Sequence, residues 1–447
     1  MSGRSSTRTF ITGDEVFPAL ERAFLDASAS IDASLRAFDP HLPLHSPEGQ
    51  AVGAVWFDLI VHVLRRGVRL RLVLADVDPV LHPARHRACW RSVRMLWAAA
   101  ELAGPAALLE VVAARHPATG GLLPRALCWP AMQRRLGRIC AVLNAGPDGL
   151  RDLPGLRSRL RQGADGRLHP RRMHLSRTTL CEHHQSLLIF DRARVHVGGP
   201  DLADGAGGHD VQVVMEGPVV AEALAHLDSF LAVVEGLRPP APARRLLRSL
   251  SRPRGAASWH TGPTPIVAEV QQAHDALIQR AGSLIYIETP AFGDPLTARR
   301  LVRAARANPE LQMILILPSP SAPWRARRRQ MRLLRYLRTA FGPRLFVGGG
   351  EGATSVSIFD DHAAILGSAA LDRPGLRWNT EVGVYLNVRR DVWELRRRVM
   401  GHWLPADAGA ECFSSTGAVR AWAALAARNA ACAPQDRSGR LLPHAPG

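Results

Sequence analysis

The chain has 447 residues, 47% of them apolar, with a formal net charge of +18 and a sequence pI near 11.2. That length and apolar content suit two packed lobes better than one, and no run of about 18 uncharged apolar residues offers a membrane-spanning helix. The N-terminal stretch is polar and Arg-dotted, without the apolar core of a secretory signal. The scattered cysteines, Cys89, Cys128, Cys140, Cys181, Cys412 and Cys432, form no CxxC pair and no zinc or disulfide spacing, so a cytosolic chain, at most peripheral on the inner face of the membrane, is expected. All 57 basic residues are arginine. The charge favours an anionic partner, a phospholipid surface or a nucleic acid, and any phosphate held by a side-chain cation must be held by a guanidinium fork.

Val16, Leu20, Phe24 and Ala27 share one helical face and lead to a strand over residues 31–38. A helix over 56–66 is closed by Gly67, and a strand over 68–74 follows. Strands over 187–191, 195–197 and 211–215 precede a helix over 221–234. Residues 237–262, with Pro239, Pro240, Pro242 and Pro253 among arginines, read as linker. The order then repeats: helix 265–280, strand 284–288, helix 295–307, strand 311–317, strands 356–360 and 363–366, strand 381–386 and helix 391–403. The tail, rich in alanine, glycine and proline, has one helical stretch over 418–429. This gives a first lobe over 1–238, a linker over 239–262, a second lobe over 263–405 and a tail over 406–447.

One pair of segments fixes the repeat. Residues 187–191 read Leu-Leu-Ile-Phe-Asp and residues 356–360 read Val-Ser-Ile-Phe-Asp; seven positions after each aspartate comes a glycine, Gly198 and Gly367. Two α/β lobes made by duplication are the economical interpretation.

His183-His184-Gln185-Ser186, then Asp191, then Gly198-Gly199-Pro200-Asp201-Leu202 resemble the phospholipase D signature HxK(x4)D with its downstream GGxDL. A second copy is Ala353-Thr354-Ser355, Asp360 and Gly367-Ser368-Ala369-Ala370. Phe38-Asp39-Pro40, Ile285-Tyr286-Ile287-Glu288 and Asn379-Thr380-Glu381 are similar to further segments of the family, in its bacterial phospholipase D and cardiolipin synthase branch. The resemblance covers nearly the whole chain apart from the ends. It implies an α/β fold of two duplicated lobes, each a mixed β-sheet flanked by helices, packed about a pseudo-twofold axis. It also implies phosphodiester hydrolysis or phosphatidyl transfer. One histidine attacks phosphorus, and the other protonates the leaving alcohol and later activates water or an acceptor alcohol. Lysines stabilise the phosphoryl oxygens. No metal or cofactor takes part, and a monomer suffices.

Carried over by resemblance, the catalytic residues are His184, Asp191 and Asp210, the last as the carboxylate orienting His184; Ser186, Gly199, Asp201, Ser355, Ser368 and Glu381 are the substrate-binding residues. The lysine positions hold Ser186 and Ser355, the second histidine position Ala353 and the asparagine position Ala370. Loss of a general acid forfeits about 10²- to 10⁴-fold in rate. Weak or absent activity is therefore expected, with a non-catalytic anionic-phospholipid binder as the alternative. A nucleic-acid binder or nuclease is supported by charge alone.

His183 and Cys181 read as packing residues. Glycines 348, 349, 350 and 352 match no phosphate loop and read as a flexible segment. In residues 324–341, Met331, Leu334, Leu337 and Phe341 form a stripe flanked by Arg328, Arg332, Arg335 and Arg338. The stripe faces either an anionic membrane or the lobe's own core.

Overall fold

The computed structural model describes residues 7–146, 150, 152–171, 178–179, 181–203, 208–255, 259–318, 324–350 and 354–444. The first lobe contains β1 (Thr7–Thr12), β2 (Ser30–Leu35), β3 (Arg69–Asp76), β4 (Leu109–Arg115), a separate hairpin of β5 (Leu160–Gln162) and β6 (Leu168–Pro170), and then β7 (Leu187–Phe190), β8 (Arg194–Gly198) and β9 (His209–Glu216). Its sheet runs β1-β9-β8-β7-β2-β3-β4. The second lobe contains β10 (Leu246–Arg252), β11 (Thr264–Ala268), β12 (Leu284–Glu288), β13 (Gln312–Pro318), β14 (Leu345–Gly350), β15 (Ser355–Phe359), β16 (Ala363–Gly367), β17 (Glu381–Leu386) and β18 (Leu442–Pro443). Its sheet runs β11-β10-β17-β16-β15-β12-β13-β14-β18. Both sheets are mixed. β2-β3-β4 and β12-β13-β14 are parallel, as their helical crossovers require, whereas the β7-β8 and β15-β16 hairpins are antiparallel.

Side-chain alternation sets the layers. Leu187 and Ile189 point into a core shared with Val356, Ile358, Leu366 and Val384 of the other lobe, while Leu188 and Phe190 point to the first lobe's outer helices. Phe359 likewise faces the second lobe's outer helices. The two sheets thus pack face to face with helices outside them.

Both repeated aspartates close turns. Asp191 accepts hydrogen bonds from the backbone N–H groups of Ser28 (2.9 Å), Ala29 (2.7 Å) and Ser30 (2.9 Å). Asp360 accepts from Gly282 (2.8 Å), Ser283 (2.7 Å) and Leu284 (2.8 Å). Each adopts a left-handed backbone, at φ 51 and φ 56, a conformation that aspartate tolerates better than bulky residues. Burial works against their charge, yet the N–H donors outweigh it and hold both carboxyls below the usual range.

Several expectations need correction. The expected linker contains β10, whose Leu246 and Leu250 enter the shared core. Gly348, Gly349 and Gly350 are strand residues of β14, and a side chain at Gly350 would run into the Trp403 ring; Gly352 lies outside the described residues. In helix Trp324–Phe341, Leu334, Leu337 and Phe341 are buried in the second lobe's outer core, so the stripe serves packing and the flanking arginines are solvated. Helices Pro83–Ala103 and Leu122–Ala145, which build one side of the first lobe, were not among the expected elements. The tail helix Ala418–Ala431 buries Trp422 in the shared core.

Replacing either latch, by Asp191→Ala or Asp360→Ala, should cost about 1–3 kcal/mol for the N–H groups left without a charged acceptor. Because the latches lie in different lobes, the costs should nearly add. Urea unfolding measures this. Because the folded carboxyls titrate below their unfolded values, the difference from wild type should shrink as pH falls through the folded pKa. Unchanged midpoints would show that the turns close without the carboxylates.

Candidate active site across the lobe interface

The extended chain just before β7 lies against the chain just before β17. Thr380 N donates to Glu182 O (2.9 Å) and His184 N to Thr380 O (2.9 Å), and the Asn379 side chain accepts from Glu182 N (3.2 Å). This short parallel ladder brings Glu381 to His184, with Oε1 3.3 Å from Nδ1. The Glu381 carboxylate is almost wholly buried and is further satisfied by Ser368 Oγ (2.5 Å) and Asn379 Nδ2 (3.1 Å).

The other imidazole nitrogen, Nε2, lies 2.8 Å from Arg36 Nη1. A guanidinium only donates, so Nε2 is the acceptor and the proton sits on Nδ1, facing Glu381. The rest of the Arg36 fork is paired with Asp201. Burial lowers the basicity of His184, but Glu381, with help from Glu182, outweighs burial and Arg36 and leaves the imidazole above its ordinary range.

His184, Arg36 and Asp201 lie on the wall of a cleft of about 1190 Å³. Helix Pro83–Ala103 contributes Arg85, Arg87, Arg91 and Arg94 alongside Ala88, Met95 and Ala98, and Phe38, Pro40 and Leu74 complete an apolar lining. Glu182 pairs with Arg85, and Asp152 with Arg91 and Arg94.

The structure brings together His184, Asp201, Ser368 and Glu381 and separates other expected site residues from them. The carboxylate on His184 is Glu381, supplied by the second lobe, and not Asp210; the ladder delivers the start of β17, whereas Asp210 stands near the start of β9. Asp191 closes a turn at the far end of β7, bonded to Ser28, Ala29 and Ser30. Ser186 Oγ donates to Gly198 O (3.1 Å). Gly199, at φ 91, occupies a place where a side chain would strike Gln212. Ser355 Oγ is buried with no hydrogen-bond partner among the described residues and lines a small cavity beside Glu288 and Ser357. Ala353 lies outside the described residues.

His183 is buried, bonds Thr380 Oγ1 (2.8 Å) and is held neutral by burial and the neighbouring His116 and His226. Burial pushes the Cys181 thiol up to about 12. Both are packing residues. Among the described residues no group of His, Cys, Asp or Glu is arranged to hold a metal ion. Sequence reading missed Arg36. Aligning the two halves on Phe38 and Phe292 exposes it, because an arginine then stands where the second half has Pro290.

No protein-family model and no curated protein matches the sequence. Among solved structures, the chain is similar to phosphatidylserine synthase from Haemophilus influenzae, at 11% identity and a TM-score of 0.53, over 88% of this chain and 84% of that one. The chain has the phospholipase D fold. Polyphosphate kinase from Porphyromonas gingivalis is also similar (10% identity, TM-score 0.49, 89% of this chain), although this chain spans only 46% of the kinase. So is the phospholipase D family member Nuc from Salmonella typhimurium (14% identity, TM-score 0.27), over 30% of this chain and 88% of that one. Within the phospholipase D fold, the ladder between residues 182–184 and 379–381 is the seam where the lobes meet.

Glu381→Gln should lower the pKa at which His184 titrates, because the amide keeps the shape but removes the negative charge. Following the imidazole resonance of His184 by NMR against pH checks this. An unchanged titration would mean that Glu381 does not act on the ring.

Proposed function

We propose that this chain cleaves or transfers the phosphodiester of an anionic phospholipid, with His184 as nucleophile and a turnover well below that of a site with two histidines. The observation that carries the proposal is the orientation of His184: Glu381 fixes one nitrogen and the other opens toward a guanidinium at the wall of a large cleft. A neutral imidazole with its proton on Nδ1 has its lone pair on Nε2, where attack on phosphorus must occur. Arg36 is the cation best placed to receive the phosphoryl oxygens, in the role for which the motif has lost its lysine at Ser186. To do so its Nη1 moves from Nε2 onto the phosphate while Asp201 holds the rest of the fork.

The cleft lining favours an amphiphile. Aliphatic groups of Leu74, Ala88, Met95 and Ala98 lie between the arginines, whereas single-stranded nucleic acid calls for aromatic stacking platforms. Leu122, Leu127 and Trp129 are exposed on helix Leu122–Ala145, which also carries Arg125, Arg134 and Arg135, a mixture that suits a lipid interface. No described helix is long and apolar enough to cross a membrane. The loss of the second imidazole and both motif lysines supports a second reading, a protein that binds anionic phospholipid without turning it over.

Head-group release from phosphatidylglycerol, phosphatidylcholine and cardiolipin vesicles separates the two. Slow release is expected, abolished by His184→Ala and reduced about 10²- to 10³-fold by Arg36→Ala. Vesicle binding with no release above His184→Ala would leave the binder. Neither binding nor release would contradict both readings.

A further inference from the structure

Helix Leu122–Ala145 is anchored along one part of its length only. Met132, Leu136, Cys140 and Leu143 recur at helical spacing and pack with Val80, Leu153, Leu156 and Leu160 in a small core of their own. The residues just before Met132 stand clear of it. Residues 126–131, Ala-Leu-Cys-Trp-Pro-Ala, are exposed one after another, and Leu127 is 73% accessible. Six consecutive residues pass around the whole circumference of a helix, so this segment is apolar and open on every side. A further exposed aromatic stands at the same end. Gly121 N donates to His260 O (3.0 Å), which brings the neighbouring Trp259, 79% accessible, to the start of the helix.

The charges are sorted along the helix. Residues 126–133 carry none; Arg125 precedes them, Arg134, Arg135 and Arg138 follow, and the helix has no carboxylate. It is also built onto the wall of the cleft. Arg135 donates to Leu81 O (3.3 Å), two residues before helix Pro83–Ala103 begins. Leu153 of the small core follows Asp152, which pairs with Arg91 and Arg94 of that cleft helix.

We propose that the first turns of helix Leu122–Ala145 are the membrane anchor of this chain, entering the interface of an anionic bilayer beside the cleft, a role that rests on the phospholipid reading above. A protein partner, a second copy included, covers one face of a helix. A helix apolar all round calls for a medium that surrounds it. Nucleic acid offers phosphates, and residues 126–131 offer them no cation. Six residues span about 9 Å, which matches the roughly 5–10 Å to which interfacial helices sink. At that depth Trp129 and Trp259 suit the headgroup boundary, and the arginines at either end reach anionic headgroups along their aliphatic stems.

Co-sedimentation with vesicles of equal parts phosphatidylglycerol and phosphatidylcholine tests the anchor. Leu127→Gln with Trp129→Gln, both on exposed positions, should weaken partitioning about 10- to 10²-fold. Arg134→Gln with Arg138→Gln should weaken it about 10- to 30-fold and leave binding to pure phosphatidylcholine unchanged. The same loss of two charges at Arg332 and Arg335, on the second lobe, should change binding less than about twofold. A fluorophore on Cys128, in a chain carrying Cys432→Ser, should shift to the blue on the mixed vesicles. Equal weakening by both arginine pairs, or no fluorophore shift, would overturn the anchor. A wild-type dimer that the Leu127 and Trp129 changes split without loss of vesicle binding would give the surface to a second copy. Head-group release from lipid dispersed in detergent needs no anchor and keeps the two readings apart. His184-dependent release there by a chain that leaves vesicles unbound removes the anchor and keeps the phospholipid reading. Binding through this helix with no release in either form keeps the anchor and removes the turnover.

Discussion

The ladder between residues 182–184 and 379–381 is the constraint on which the site depends. Its hydrogen bonds are each worth only about 0.5–1.5 kcal/mol net, but they deliver a carboxylate, Glu381, into a place closed to solvent. A buried carboxylate is tolerable only when its lone pairs are met, and Glu381 is met by His184, Ser368 and Asn379. His184 belongs to the first lobe and the other two to the second. A shift of one lobe against the other would strand the charge, so the interaction that orients the imidazole also fixes the alignment of the sheets.

The duplicated lobes have kept their scaffold and diverged in their chemistry. Asp191 and Asp360 close equivalent turns through equivalent donors. Arg36 and Asp201 form a pair in the first lobe, and the equivalent positions of the second are Pro290 and Ala370, so both charges are missing together. That is the outcome expected where an isolated buried charge is more costly than none. On the second lobe's side of the interface a different buried group has formed: Glu288 accepts from Tyr286 and Trp403 and pairs with His209 of the first lobe at 2.7 Å. Despite burial, that pairing holds His209 above and Glu288 below their ordinary ranges.

Much of the architecture was legible in the sequence. Strands 284–288 and 381–386 and helix 295–307 have the bounds that alternation and helical periodicity indicate, and the paired Ile-Phe-Asp segments set the register of both hairpins. Helix Leu122–Ala145 was not legible because arginines and apolar residues are mixed around it, with Pro130 inside, so no face repeats. β10 was hidden in a segment whose prolines and arginines suggest a linker. The nature of the site residues could be read, but their pairing could not: that Glu381 and not Asp210 meets His184 depends on how the lobes face each other, which no local spacing records. Arg36 went unread because it lies outside the motif and only the comparison of the two lobes singles it out.

Orthovanadate copies the shape and charge of a phosphoryl group under attack, so a crystal structure with it bound shows directly whether His184 and Arg36 meet phosphorus as described. Vanadium is expected at bonding distance from His184 Nε2, with Arg36 turned from that nitrogen onto the vanadate oxygens and Glu381 still on Nδ1. Saturating vanadate bound elsewhere or not at all, with Arg36 remaining on Nε2, would contradict that arrangement.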